Sequence, residues 1–386
     1  MSGVSILSGV SGVSGVSGVS GVSGVSGVSG VSGVSGVGGY DHPVTVDGMI
    51  RHRDGIVGTW DGTRPYPGAE LAIESPARLE RWEPWVRAAI FDFELLSRLH
   101  LTRHSENFLN TNTGTNKYVS DSITLWHLHV GLGTPPAVSS RRIASFIRPT
   151  KPIFRAQMAF LDQYADLRED RATEILAQMA PQVAFWSSVA NLHPDRTHWT
   201  LELLGVALRL AQFAEQRFKH ALACRRPVEF SPQLQPMILT PGHGTLPSGH
   251  STEAHIVAYV LWKLLNRPND TLLDEQLMRQ AARIAINRTV AGLHFPVDSA
   301  AGQVLGLTLG EYLVNRCGWT PTYGVWRFDG QRYPGGNDFD WRHLYNTTPP
   351  GGARLSDVFT DYMGRLPAQV SPCLAWLWKK AQGEWP

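Results

Sequence analysis

The sequence predicts an all-α protein, a helical bundle preceded by an irregular N-terminal region, on three observations. Beyond residue 135, apolar residues recur at helical spacing over several long segments. Most links between these segments are short, and proline, glycine and small polar residues stand where helices should begin and end. Hydrophobic residues make up 42% of 386, ample for a sizeable core. The expected organisation is a low-complexity tail over 1–39, an N-terminal extended and helical segment packing on the bundle over 40–134, and the bundle itself over 135–386.

From Ser8 to Val37 the tripeptide Ser-Gly-Val repeats without interruption. A period of three suits neither a helix nor a half-buried strand, and one Val per triplet cannot offset the entropy of ordering, so a flexible tail is expected. Tyr40 to Gly68, rich in Gly, Asp and Pro, reads as an irregular extended lead-in. Pro76 to Arg103 carries apolar residues at helical spacing, and the Asn/Thr-rich stretch Asn107 to Asp121 reads as a loop. In Leu125 to His129 a strand would put His127 and His129 on one side, but no nearby Cys or His completes a metal set, so their assigned role is structural.

Helices are expected near Pro152 to Leu167, Arg171 to Leu192, Thr197 to Cys224, Ser248 to Leu265, Leu272 to Ala291 and Pro296 to Cys317, with shorter ones near Leu355 to Leu366 and Val370 to Gln382. The connection from Val228 to Leu246 is long for a compact bundle, a property more often functional than accidental. Gly324 to Gly352, rich in Gly, Asp and aromatics, is expected to wrap the surface.

Composition excludes several function classes. A formal charge of +2 offers no nucleic-acid surface. Three cysteines (Cys224, Cys317, Cys373) are too few and too scattered for a disulfide framework. The best apolar run, His255 to Leu265, is too short for a membrane span. Met-Ser-Gly-Val-Ser-Ile-Leu at the start has neither a basic nor an apolar signal region, so cytoplasmic residence is the expectation.

Chemistry concentrates between Lys219 and Asp298. Lys219 lies seven residues before Arg226, nearly two helical turns, so both cations could project from one helix face. Pro247-Ser248-Gly249-His250 precedes a long apolar run and reads as a helix start whose free N–H groups could meet an anion. Asn287-Arg288 ends a further helix, with Gly292 a C-terminal cap and Pro296 the first residue of the next, which sets His294 and Asp298 around a turn. A tetrahedral oxyanion needs charge neutralised, fixed donors for its equatorial oxygens and an axial ligand or nucleophile. Lys219, Arg226 and Arg288 supply charge, while the Ser248 hydroxyl and Gly249 N–H supply donors. A neutral His294 donating to Asp298 suits the axial position, and His250 the opposite apex.

In order and spacing these residues resemble the signature shared by vanadium-dependent haloperoxidases and type 2 phosphatidic acid phosphatases: Lys, six residues, Arg-Pro; Pro-Ser-Gly-His; then Ser-Arg, five residues, His, three residues, Asp. Asn287 stands where the family usually has Ser. The resemblance implies a helical bundle of the haloperoxidase/acid phosphatase type. It also implies roles: His294 the vanadate (metal) ligand or phosphoryl acceptor, His250 the acid and base, and Lys219, Arg226, Ser248, Gly249 and Arg288 the oxyanion cradle. His243, seven residues before His250, occupies a position that in the haloperoxidases lies near vanadate and is a histidine in many bromo- and iodoperoxidases. The first expectation is therefore a soluble haloperoxidase with an orthovanadate cofactor, using hydrogen peroxide, bromide or iodide and a small organic substrate. The second is a soluble acid phosphatase working through a phospho-histidine, and the third a non-catalytic oxyanion-binding or assembly protein. No nucleic acid and no membrane span are expected, and pairing as a homodimer is what such relatives commonly do.

Overall fold

The computed structural model describes residues 43–59, 71–109, 117–131, 135–179, 182–265, 271–347 and 353–385. The Ser-Gly-Val tract lies outside them. The chain divides into two compact units, 2–87 and 88–386. In the first, helix α1 (Pro43–Ile56) replaces the extended lead-in expected there, and a 3-10 turn follows over Pro76–Arg81. Helix α2 (Pro84–Leu96) starts at the boundary.

The second unit corrects the all-α expectation to α+β. Strands β1 (Leu99–Leu109), β2 (Lys117–Val130), β3 (Val138–Ile147), β4 (Tyr323–Asp329) and β7 (Thr360–Leu366) form a mixed sheet in the order β1-β2-β3-β4-β7. Only β3 and β4 pair in parallel. A two-residue pair, β5 (Tyr345–Asn346) and β6 (Ala353–Arg354), stands apart. The physical reason that the sheet escaped the sequence pattern lies in β2. Ser122 and Thr124 are as buried as Ile123 and Leu125, because the Thr124 and Ser145 hydroxyls hydrogen-bond across the β2–β3 pair at 2.8 Å. A strand covered on both faces loses the apolar–polar alternation that identifies a half-buried one. Both flanks of the stretch read as a loop are strand, and β7 lies where a short helix was expected.

The helices are α3 (Lys151–Ala165), α4 (Arg168–Ala177), α5 (Val183–Ala190), α6 (His198–Leu222), α7 (Gly249–Leu265), α8 (Thr271–Val290), α9 (Pro296–Arg316) and α10 (Pro372–Gln382). The single helix expected from Arg171 to Leu192 is two. Every residue of α9 is buried, with α7 on one side and β3 and β4 on another. Three glycines four residues apart make this approach close. A Cβ on Gly302 would fall 2.6 Å from the Ser251 Cβ, one on Gly306 2.4 Å from the Thr252 carbonyl, and one on Gly310 2.8 Å from the Tyr259 ring. Separations under 3 Å are impossible for packed carbons, so this face of α9 seats directly on α7 and fixes the starts of both helices side by side. No helix among the described residues is long and apolar enough to cross a membrane. His127 is a core histidine, its Nδ1 2.9 Å from the Tyr312 hydroxyl.

Candidate active site

Two helix starts meet at the site. The Ser248 N–H donates to the Asp298 carbonyl at 2.9 Å, stitching the entry of α7 to the first turn of α9. Pro296 opens α9 as its sequence position predicts, and Gly292, at φ +77, ends the preceding turn in a left-handed conformation that a side chain would strain. Between them His294 is held. Its Nδ1 lies 3.2 Å from Asp298 Oδ2, and that same oxygen accepts the Phe295 N–H at 2.8 Å and the Thr245 hydroxyl. An ionised carboxylate only accepts, so Nδ1 carries the proton and the Nε2 lone pair is left free for other chemistry. Nε2 now accepts from Arg226 Nη1 at 3.0 Å.

Arg226 does not share a helix face with Lys219. Helix α6 ends at Leu222, Ala223 turns left-handed at φ +49, and Arg226 enters from the extended segment that leads into a 3-10 turn. Its guanidinium nevertheless reaches the same place. Nη1 donates to the Leu293 carbonyl at 3.0 Å, Nε to the His243 carbonyl at 2.9 Å, and Nη2 lies 3.0 Å from His243 Nδ1. The long connection before Pro247 thus delivers His243 into direct contact with the site. Buried Lys219 donates from Nζ to the Pro247 carbonyl.

A second cluster is built on α8 and the end of α4. Arg288 Nη2 donates to the Ile175 carbonyl and to Gln178 Oε1, each at 3.1 Å, and His250 Nε2 donates to the Gln178 carbonyl at 3.1 Å. Asn287 donates to Glu174 Oε1 and Gln178 Oε1 at 2.9 Å. It therefore bears on Arg288 through Gln178, and through Glu174, whose charge acts on the guanidinium. The remaining Arg288 donors, Nε and Nη1, are buried with no partner. Each such group carries a desolvation cost of about 1–3 kcal/mol.

The electrostatics follow from burial among cations. Burial, then the charges of Arg226 and Lys219, hold His294 well below its usual range. Burial, then Arg288, push His250 down to about 3, and burial, then Lys219, push His243 down to about 4. All three imidazoles are neutral near neutral pH. Burial lowers Arg226 and Arg288 to about 10, still charged there. It lowers Lys219 below the usual ammonium range and raises Asp298 above the usual carboxylate range, against the Thr245 hydrogen bond. Cys224 is buried and its thiol is pushed up, the state of an unreactive cysteine.

Of the residues expected at the site, Arg226, His243, His294 and Asp298 are joined by the contacts above, Lys219 and Ser248 are tied to Pro247 and Asp298, His250 and Arg288 meet at Gln178, and Gly249 opens α7. Thr245 and Gln178 were missed, since their parts depend on tertiary contacts that no spacing reveals. Arg225, which flanks the motif, is exposed, and His255 is a core histidine.

Residues 200–320 match the family model of the PAP2 superfamily. None of the curated proteins matches the chain. Among solved structures it is similar to the first transmembrane PAP2 type phosphatidylglycerolphosphate phosphatase from Bacillus subtilis. Identity is 21%, the match covers 43% of this chain and 85% of that one, and the TM-score is 0.34.

Proposed function

We propose, from the match of residues 200–320 to the PAP2 superfamily model, that the chain is a phosphatase-type hydrolase, cleaving phosphomonoesters through His294. The observation that carries the reading is the pair of unpartnered Arg288 donors beside two further buried cations and an imidazole nitrogen held as a lone pair. Donors without acceptors, on guanidiniums that form no ion pair with a described carboxylate, suit a tetrahedral anion with several oxygens.

In the proposed reaction the phosphoryl group lies between His294 Nε2 and His250. Arg226 transfers its N–H from His294 to an equatorial oxygen, and Lys219, Arg288, the Ser248 hydroxyl and the Gly249 N–H take the others. His294 Nε2 forms a bond to phosphorus as the P–O bond to the leaving group breaks, and His250 in its protonated form gives the departing oxygen a proton. Neutral His250 then takes a proton from water as that water attacks phosphorus and the P–N bond breaks. Burial, then the nearby cations, keep His250 neutral; an entering dianion offsets those charges and raises its proton affinity. Asp298 holds the His294 tautomer and stabilises the positive charge that develops on the ring.

A second reading, a vanadium-dependent haloperoxidase, is favoured by His243, whose Nδ1 is 3.0 Å from Arg226 Nη2. Orthovanadate presents the same tetrahedral oxygens, and the partnerless Arg288 donors fit it equally. His294 would ligate it, with Lys219, Arg226, Ser248, Gly249 and Arg288 around it; bound there it would supply Lewis acidity towards hydrogen peroxide, with bromide or iodide as reductant. Hydrolysis is put first because each of its steps is filled by a side chain of this chain. The test is to assay apo-protein, with and without orthovanadate, for hydrolysis of a chromogenic phosphomonoester and for peroxide-dependent bromination of a phenol-type dye. Hydrolysis that vanadate inhibits supports the first reading. Vanadate-dependent bromination without hydrolysis overturns it in favour of the second.

A further inference from the structure

Behind the cradle lies a carboxyl that neither reaction uses. Glu215 stands one helical turn before Lys219 on α6, is 3% exposed, and has no hydrogen-bond partner for its buried Oε2. Its carboxyl packs on the first residue of α7: a Cβ on Gly249 would come within 2.5 Å of Glu215 Oε1 and 3.1 Å of Oε2. A side chain at Gly249 would have to displace this carboxyl, which seats there because the position carries no Cβ. One turn further along α7, Glu253 is also buried and faces Glu215, so two carboxyls share a water-poor space beside the Lys219 ammonium.

A carboxyl placed this way has no structural justification. An apolar side chain of similar shape would fill the space without the cost of burying an unsatisfied charge. Breaches of this kind concentrate where function requires them. We propose that Glu215 is a positioning residue of the oxyanion site: it is the counter-charge that keeps the Lys219 ammonium protonated, beside Gly249, until a tetrahedral dianion enters and takes over that role. The inference rests on the oxyanion reading of the site above.

Burial raises the Glu215 carboxyl above the usual carboxylate range, against the charges of Lys219 on its own helix and Arg226 from the following turn, so its counter-charge is fullest on the alkaline side. Glu253 of α7 lies beside it, Asp298 of α9 acts in turn on Lys219 and Arg226, and Lys219 also faces the imidazoles of His243, His250 and His294. Burial drives Lys219 towards the neutral amine, and the Glu215 carboxylate is the largest influence opposing that. The sign follows directly. Without the carboxylate Lys219 loses its proton at lower pH, and with it the site loses a cation.

The experiment measures tungstate, a tetrahedral dianion, binding to the full chain by calorimetry across the neutral and alkaline range, together with melting temperature. Wild type should lose affinity on the alkaline side as Lys219 deprotonates. In Glu215→Gln that loss should begin at least about one pH unit lower, with the melting temperature unchanged or raised. Glu215→Asp should restore much of the wild-type profile. Glu215→Met, a volume match without hydrogen-bonding atoms, should repeat the Gln result and stands in should the Gln protein not fold. An alkaline limb that stays in place in folded Glu215→Gln or Glu215→Met, while wild type binds tungstate, overturns the inference and leaves the site reading intact. Absence of tungstate binding by wild type at every pH overturns the site reading and the inference with it.

Discussion

Two groups of charges in the same compact unit are wired in opposite ways. Around β4 and β7, Asp361 accepts from Arg327 Nε at 2.7 Å and also from Arg332, which in turn donates to Asp329 Oδ2 at 3.0 Å. Guanidinium meets carboxylate throughout, and the sheet edge is tied to the loop after it. At the meeting of α7 and α9, none of Lys219, Arg226 and Arg288 forms an ion pair with a described carboxylate. They donate to backbone carbonyls, imidazoles and an amide, and Arg288 leaves two donors buried and idle. The first network is complete without any ligand. The second has no described carboxylate within ion-pair distance of its cations, and under the proposed function an anion completes it.

The contrast predicts which variants lose activity and which lose stability. His294→Ala removes the nitrogen proposed to attack, and hydrolysis should fall at least about a thousandfold while the melting temperature holds; a kinetic trace within tenfold of wild type would collapse the distinction. Arg288→Ala should lower kcat/KM about a hundredfold, with stability unchanged or raised because two unsatisfied donors leave with the side chain. Thr245→Val removes the hydrogen bond that holds the Asp298 carboxyl down. The acid limb of the rate profile, where Asp298 takes up a proton and ceases to orient His294, should then move to higher pH, and the rate at neutral pH should drop about tenfold. Asp361→Asn should do the reverse of all these, costing about 1 kcal/mol in denaturant unfolding with kinetics untouched. Loss of activity there, at full stability, would mean that the paired network is part of the site.

Much of the site was legible because its residues sit at fixed distances along the chain, and helix geometry carries short spacings into space. The starts of α7 and α9, the cap at Gly292 and the His294–Asp298 pair follow from four-residue steps and from proline and glycine positions. Lys219 and Arg226 were paired for the wrong reason: the chain leaves the helix at Ala223, and only the turn after it aims the guanidinium back. The sheet was illegible because Ser122, Thr124 and His127 are buried polar residues whose partners lie on other elements, so the alternation that marks a strand is absent. Thr245, Gln178 and Glu215 have the same character. Each is an unremarked residue until a distant segment is laid against it. The glycines of α9, by contrast, carried a readable signal in their four-residue repeat, and Gly306→Ala should destabilise the fold through the Thr252 carbonyl despite alanine's better helix propensity.

The most direct measurement is the affinity of orthovanadate for wild type and for His294→Ala, read by equilibrium titration on folded protein. Tight binding by wild type that is lost when the imidazole is removed is the predicted result, since both proposed chemistries need the anion at His294 Nε2. Equal affinity in the two proteins would contradict it, and would mean that the cations hold their anion somewhere other than on this histidine.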